Sequence, residues 1–359
     1  MKTYRIALLP GDGIGKEVVP AAVKVLNAAS RDFELSFHPF DWGCEYYLRT
    51  GRMMPPDGLD QLRPFDAILL GAIGHPTVPD HISLRELLLR IRFEFDLYIN
   101  LRPVQVLPGL ECPLRSKRPE DIHMLFIREN SEGEYSGLGG RFHRGTPEEV
   151  AIQESVFTRR GVERVIRYAF EQARRRPRKL VASVTKSNAM QYAMVLWDEI
   201  FEEVGREYPD VSTARYHVDA AAARMITAPE SLDVVVASNL FADILTDLGG
   251  ALQGSLGLAA SANVNPVARL GPPVFEPVHG SAPDIEGRGI ANPIATIWAA
   301  SMMLDHLGEA EAAARVFRAL GAVTSEGRVR TPDLGGRNTT EEFTSAVIEK
   351  LSDPSAAPR

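Results

Sequence analysis

Two cysteines, Cys44 and Cys112, are all that 359 residues contain. That is too few for a disulfide framework, and neither sits in a metal-ligand spacing, which fits two packed or half-exposed thiols in a reducing compartment. A basic surplus is also missing. With 40 Lys and Arg against 47 Asp and Glu, the net charge is -7, which excludes a general nucleic-acid binder, because such proteins carry the cations that neutralise phosphates. Any anionic ligand must therefore meet a local basic cluster. Long apolar runs are absent as well. The opening MKTYRIALLPGDG is broken by charge and turn residues before a signal-peptide core can form, and no window reaches the roughly 20 apolar residues of a membrane span. The expectation is a cytoplasmic protein.

What is present is a chain with 45% hydrophobic and 24% charged residues, long enough to bury a large core and divide into about two domains. Short apolar runs at Arg5–Pro10, Asp66–Gly71, Met124–Ile127, Leu180–Val184 and Val234–Ala237 read as buried strands. Between them, Lys16–Ala29, Val162–Arg175, Ala189–Val204, Ala242–Leu252, Pro293–Leu307 and Thr340–Leu351 read as helices. This alternation predicts an α/β fold. The basic run Arg174–Arg176 before Pro177 reads as a solvated helix end, and the Ser, Ala and Pro of 352–359 as a frayed tail.

The first strand runs into Gly11-Asp12-Gly13-Ile14-Gly15. As a dinucleotide fingerprint it fails, because its third glycine comes one residue early, and a tight connecting turn is the competing reading. More specific is Asn239-Leu240-Phe241-Ala242-Asp243-Ile244-Leu245-Thr246-Asp247 after an apolar run. Asp243 and Asp247 at i,i+4 share one helix face, where two carboxylates suit a hard cation such as Mg²⁺ or Mn²⁺, although a solvated acidic face has the same pattern. Arg92, Arg102 and Arg128 are the basic counterpart, since guanidinium groups grip carboxylates bidentately. Tyr135 and Lys186 stand where strands give way to loops, and both side chains can relay protons.

Read together and in order, PGDGIGKEV, FDLYINLRP, IRENSEGEYSG, TKSN, ASNLFADILTDLGG and EPVHGSAPDIEGRGIANPIATI resemble the β-decarboxylating dehydrogenases of 2-hydroxy acids. That family covers isocitrate, 3-isopropylmalate, homoisocitrate, tartrate and D-malate enzymes, and the likeness runs from Arg5 to about Leu351. The resemblance implies that Arg92, Arg102 and Arg128 hold a malate-like dicarboxylate, while Asp219, Asp243 and Asp247 hold Mg²⁺ or Mn²⁺. It also implies that Lys186 and Asp219 come from a neighbouring subunit, so that a homodimer with shared sites is the minimum assembly. It assigns NAD to the Gly254–Gly257 region, to Glu276, His279, Gly280, Ser281, Ala282, Asp284 and Ile285, and to Asn292. It leaves room for a monovalent cation too. Asp284 favours NAD over NADP, because its carboxylate accepts from a ribose hydroxyl and repels a 2′-phosphate.

The chemistry so implied is proton loss from the C2 hydroxyl to Lys186, hydride transfer to NAD, loss of CO₂ and protonation of the resulting carbanion by Tyr135. The implied fold is an isocitrate/isopropylmalate dehydrogenase-like α/β fold and not a Rossmann domain. Its two domains, 1–99 with 253–359 and an inserted 100–252, surround a continuous sheet, and Gly137–Ile152 forms a dimer arm. Cys44–Tyr47, Val78–Leu84, Gln153–Gly161 and Trp298 match the tartrate/D-malate branch best. Arg85 and Glu86, however, stand where that branch has an aromatic residue and a glycine, beside the expected pocket. Arg85 either attracts a further carboxylate or pairs at the surface. Leu88 and Leu89 would offer an apolar wall to 3-isopropylmalate, the alternative substrate. An alternative of another class is a non-catalytic nucleotide-binding regulatory subunit.

Overall fold

Strands that are apolar on both faces must be covered on both faces, and this chain has several. The computed structural model describes residues 1–352, so the tail reading at 353–359 lies outside the described residues. Its strands are β1 (Lys2–Gly11), β2 (Phe33–Pro39), β3 (Ala67–Ala72), β4 (Ile99–Gln105), β5 (His123–Glu129), β6 (Gly139–Phe142), β7 (Val150–Gln153), β8 (Leu180–Thr185), β9 (Ser212–His217), β10 (Val234–Ala237), β11 (Ala260–Val264) and β12 (Val274–Pro277). The described residues form two compact units, 1–97 with 105–120 and 250 onward, and 98–104 with 121–249. Segment 105–120, which the sequence reading set in the inserted part, clusters with the first unit.

In the first unit the strand order is β2-β1-β3-β12-β11, parallel except where β11 meets β12. That order, with its antiparallel pair, is not the Rossmann arrangement. All six residues of β3 are buried. The Ile294–His306 helix is buried on nearly every side, as an apolar surface all round requires. The glycine turn after β1 is explained by close approach. A Cβ on Gly11, at φ 68°, would lie 2.0 Å from the Ala72 carbonyl oxygen, and one on Gly13, at φ 54°, equally close to that of Ser281. The Ile14 N–H, at the helix start, already donates to the Ser281 carbonyl at 2.9 Å. Asp12 is buried, and its carboxylate accepts from the Cys44 and Gly74 N–H groups at 2.9 and 3.0 Å. Cys44 is fully buried, and burial first and Asp12 second push its thiol up to about 12.

In the second unit the order is β4-β5-β10-β8-β9, with β5, β10, β8 and β9 parallel. The Arg159–Arg174 helix begins at Thr158, whose hydroxyl accepts from the Gly161 N–H, an N-cap that satisfies one free donor of the first turn. It buries Val162, Val165, Ile166, Ala169 and Phe170 along one stripe. The β6–β7 hairpin is exposed at every residue, with Leu138, Phe142, Val150 and Ile152 in solvent. Parallel strands collect their C-terminal ends on one edge, and in sheets of this kind that edge is where ligands bind. Arg128 and Ala237 are register partners near that edge, and Thr185 pairs with His217.

Candidate active site

The Asn239–Gln253 helix leaves the C-terminal end of β10. Gly249 lets it lie close to β4, since a Cβ there would stand 2.7 Å from a methyl of buried Val104. The approach brings Asp243 and Thr246 to Arg102 on β4. Arg102 donates to Asn100 Oδ1 and to Thr246 Oγ1, each at 2.6 Å, and lies 3.3 Å from Asp243 Oδ1. Arg128, 2% exposed near the end of β5, donates to Asn239 Oδ1 at 2.9 Å and forms an ion pair with Asp243. The Tyr135 hydroxyl donates to the other Asp243 oxygen at 2.9 Å, and its ring lies 5.5 Å from the Arg128 guanidinium. Partial burial first, and the charge of Asp243 second, hold the Asp247 carboxyl above the ordinary carboxylate range. Two buried guanidinium groups, two carboxylates one turn apart and a phenol thus meet in one place.

Lys186 and Asp219 form a second group. The β8–β9 register carries both to the same strand ends, and Lys186 Nζ donates to Asp219 Oδ1 at 2.6 Å. That bond holds the Asp219 carboxyl below its usual range. Asp219 is not gathered with Asp243 and Asp247. Among the described residues no three His, Cys, Asp or Glu side chains assemble as a metal site needs. The donor chemistry at Asp243 and Asp247 nevertheless suits a hard divalent cation, because a cation relieves the mutual repulsion that raises Asp247.

The remaining expected residues lie in the first unit. Arg92, 4% exposed, is paired with Glu276 at 2.6 Å, and Asn263 donates to the same Glu276 oxygen at 2.8 Å. Arg92 Nε is buried with no hydrogen-bond partner among the described residues. After Glu276 the chain runs through His279, which burial keeps below its usual pKa and whose Nε2 is buried and unpartnered. A Cβ on Gly280 would meet open space. Ser281 is buried, Ala282 has φ 42°, Ile285 N–H donates to the Ala282 carbonyl, and Asp284 is exposed. Asn292 donates to Asp333 at 2.9 Å, and Ser255, just after Gly254, donates to the same oxygen at 2.6 Å. This open glycine beside an unpartnered imidazole nitrogen suits a polar ligand such as a dinucleotide.

Arg85 and Glu86 are exposed, whereas Leu88 and Leu89 are buried, Leu88 within the first unit's core. Leu84–Leu89 is wound as a π-helix between α-helical Asp80–Ser83 and Arg90–Glu94, and this wider turn sets Leu87, Leu88 and Leu89 inward together.

Asn100, Asn239, Thr246 and Asp333 were not singled out from sequence. Thr246 lies between Asp243 and Asp247, Asn239 opens the same motif and Asn100 stands two residues before Arg102, whereas Asp333 meets Ser255 and Asn292 from a distant segment.

A model of the isocitrate/isopropylmalate dehydrogenase family matches residues 5–347, and the chain belongs to that family of decarboxylating dehydrogenases. Its individual relatives are also informative. A probable tartrate dehydrogenase/decarboxylase of Agrobacterium vitis is 54% identical over 355 residues, covering 98% of this chain and 99% of that protein. The D-malate dehydrogenase [decarboxylating] of Escherichia coli (strain K12) is 54% identical over 358 residues, covering 97% and 99%. Among solved structures, the isocitrate dehydrogenase from Methylococcus capsulatus has a TM-score of 0.87 at 37% identity, covering 98% of this chain and all of that one. The fold expectation is borne out. No helix among the described residues is long and apolar enough to cross a membrane.

Proposed function

We propose that the chain oxidises and decarboxylates a malate-like 2-hydroxy acid, D-malate or tartrate, with NAD and a divalent cation, as a homodimer with shared sites. The observation that carries this reading is the meeting of the Tyr135 hydroxyl, Arg102, Arg128 and Asp243 within hydrogen-bond reach. It puts a proton donor, anion-binding groups and a metal-ligand carboxylate at one point. The names of the two 54%-identical relatives support the substrate class.

In this reading Arg102 and Arg128 hold the substrate carboxylates, joined by Arg92. Asp243 and Asp247, with Asp219 of a second copy, would hold Mg²⁺ or Mn²⁺, which supplies Lewis-acid polarisation of the substrate's C2 oxygen. Gly254–Gly257, Glu276, His279, Gly280, Ser281, Ala282, Asp284, Ile285 and Asn292 would hold NAD, which would supply the hydride acceptor. Lys186, released from Asp219, takes the hydroxyl proton. Tyr135 delivers a proton to the carbon that has lost CO₂.

The test is a panel of D-malate, the tartrate isomers, 3-isopropylmalate and isocitrate with NAD and Mn²⁺, following NADH and CO₂ together. Turnover of D-malate or a tartrate with release of CO₂ is expected. Binding of NAD and Mn²⁺ without turnover of any acid would make the chain a nucleotide-binding regulator instead, and a strong NADP preference would sink the reading of Asp284.

A further inference from the structure

We propose that Glu129 is the positioning residue of Tyr135: its buried carboxylate ties down the turn that carries the phenol and so fixes where the hydroxyl stands. The proposal rests on the reading of Tyr135 as the proton donor. Glu129 is the last residue of β5, directly after Arg128, and strand alternation sends the two side chains to opposite faces. Arg128 goes to Asp243, while Glu129, 0% exposed, turns back on its own loop. One oxygen accepts from the Ser131 N–H at 2.8 Å and the Ser131 hydroxyl at 2.7 Å, and the other accepts from the Glu132 N–H at 2.8 Å.

Those three bonds form the inner side of a clamp. On the outer side, Glu132 accepts from the Thr158 N–H and hydroxyl at 2.9 and 2.6 Å, and the Gly133 N–H donates to the Val156 carbonyl at 2.8 Å. Arg164 enters from the Arg159–Arg174 helix, donating to the Ser131 hydroxyl oxygen at 3.1 Å with its guanidinium 3.9 Å over the Tyr98 ring. The loop so held runs straight into the Glu134–Ser136 turn and Tyr135. The hydrogen bonds of Glu129 go to Ser131 and Glu132 and not to Tyr135, so Glu129 acts through the backbone between them. Burying a carboxylate is costly, and Glu132 adds a like charge. Burial first and that charge last raise the Glu129 carboxyl to about 7, against the pull of the three donors. A core that needed only packing would be served by an apolar side chain.

The experiment is a double-mutant cycle in the full enzyme with NAD, Mn²⁺ and D-malate, using Glu129→Gln, Tyr135→Phe and the pair. The glutamine keeps the shape but sets an NH₂ against the Glu132 N–H. A misplacement of about an ångström costs on the order of a hundredfold in rate. We therefore expect Glu129→Gln to lower kcat by about ten- to a hundredfold, with an unchanged KM for NAD. A larger share of product should be released as the enol, not yet protonated on carbon, and the double variant should be no worse than Tyr135→Phe within about twofold. A wild-type kcat, or effects that multiply in the pair, would overturn the inference while Tyr135 keeps its role. An unaffected Tyr135→Phe would overturn the assignment of Tyr135 and this inference with it. Should Glu129→Gln fail to fold, Ser131→Ala removes the hydroxyl donor and reads the same cycle with the same two outcomes.

Discussion

At the residue scale, the site shows charges that are held before any ligand arrives. Arg128 is nearly inaccessible, and its Nε and Nη1 hydrogen bonds go to Asn239 and Asp243. A lysine there keeps the charge but cannot reproduce two separate donors. Arg128→Lys is therefore expected to raise the substrate KM by roughly one to two orders of magnitude, from the loss of a bidentate charge-assisted contact, with the NAD KM unchanged in initial-rate kinetics. Glu129 gives a prediction on stability. Its carboxyl moves from an ordinary 4.5 to about 7 on folding, so between those values the folded chain binds a proton that the unfolded chain does not. Stability then falls as pH rises through this window, by up to about 1.4 kcal/mol per pH unit, and the penalty is complete above it. Denaturant titrations at pH 5 and pH 7.5 should show this loss in the wild type and not in Glu129→Gln. Equal losses in the two proteins would mean that folding does not raise the Glu129 carboxyl as described. The arginines, Asp243, Asp247, Tyr135 and Lys186 could be singled out in the sequence because each sits in a motif whose chemistry is local, whereas Asp219 came only from the family resemblance. The contacts of Asn239 and Asp333 could not, because Asn239 meets Arg128, and Asp333 meets Ser255 and Asn292, only when distant segments come together.

At the scale of elements, the strands and helices with clear periodicity were the legible ones. β3, β5, β8 and β10 lie within or overlap the apolar runs expected for them, and the helix carrying Asp243 starts three residues early, at Asn239. The Ala310–Glu326 helix was passed over, although its buried residues Ala312, Ala313, Val316, Ala319, Leu320 and Val323 keep helical spacing, because half of that stripe is alanine and reads as weakly apolar. β9 has no fully buried residue, so its pairing with β8 and not its composition makes it a strand. The contact of Gly249 with β4 gives a sharp test. Gly249→Ala gains helix propensity of roughly 1 kcal/mol, yet its Cβ must push against Val104, and overpacking of this kind costs about 1–3 kcal/mol. Thermal melts are expected to show net destabilisation, and kcat should fall because Asp243 and Thr246 shift with the helix. A variant as stable and as active as the wild type would mean that the close approach has no function.

At the scale of the whole molecule, one chain carries Asp243 beside Arg102 and Arg128 and, apart from them, Asp219 paired with Lys186. If sites are shared between copies, Asp219→Asn and Asp243→Asn should each be inactive alone. A heterodimer of the two has one intact site, so the heterodimer purified after co-expression is expected to have roughly half of the wild-type activity, as two-fold symmetry dictates. Absence of recovery in purified heterodimers would argue against sharing. The exposed β6–β7 hairpin belongs to the same argument, since a two-stranded ribbon with four exposed apolar side chains is marginal in water without a cover.

The burial of Cys44 leaves only Cys112 with partial access among the described residues. At neutral pH a maleimide dye should therefore couple once per native chain, at Cys112, and a second time only after denaturation. Peptide mapping of the labelled protein would check this. The natural sequence thus offers a single-site attachment point for fluorescence work without any engineered cysteine.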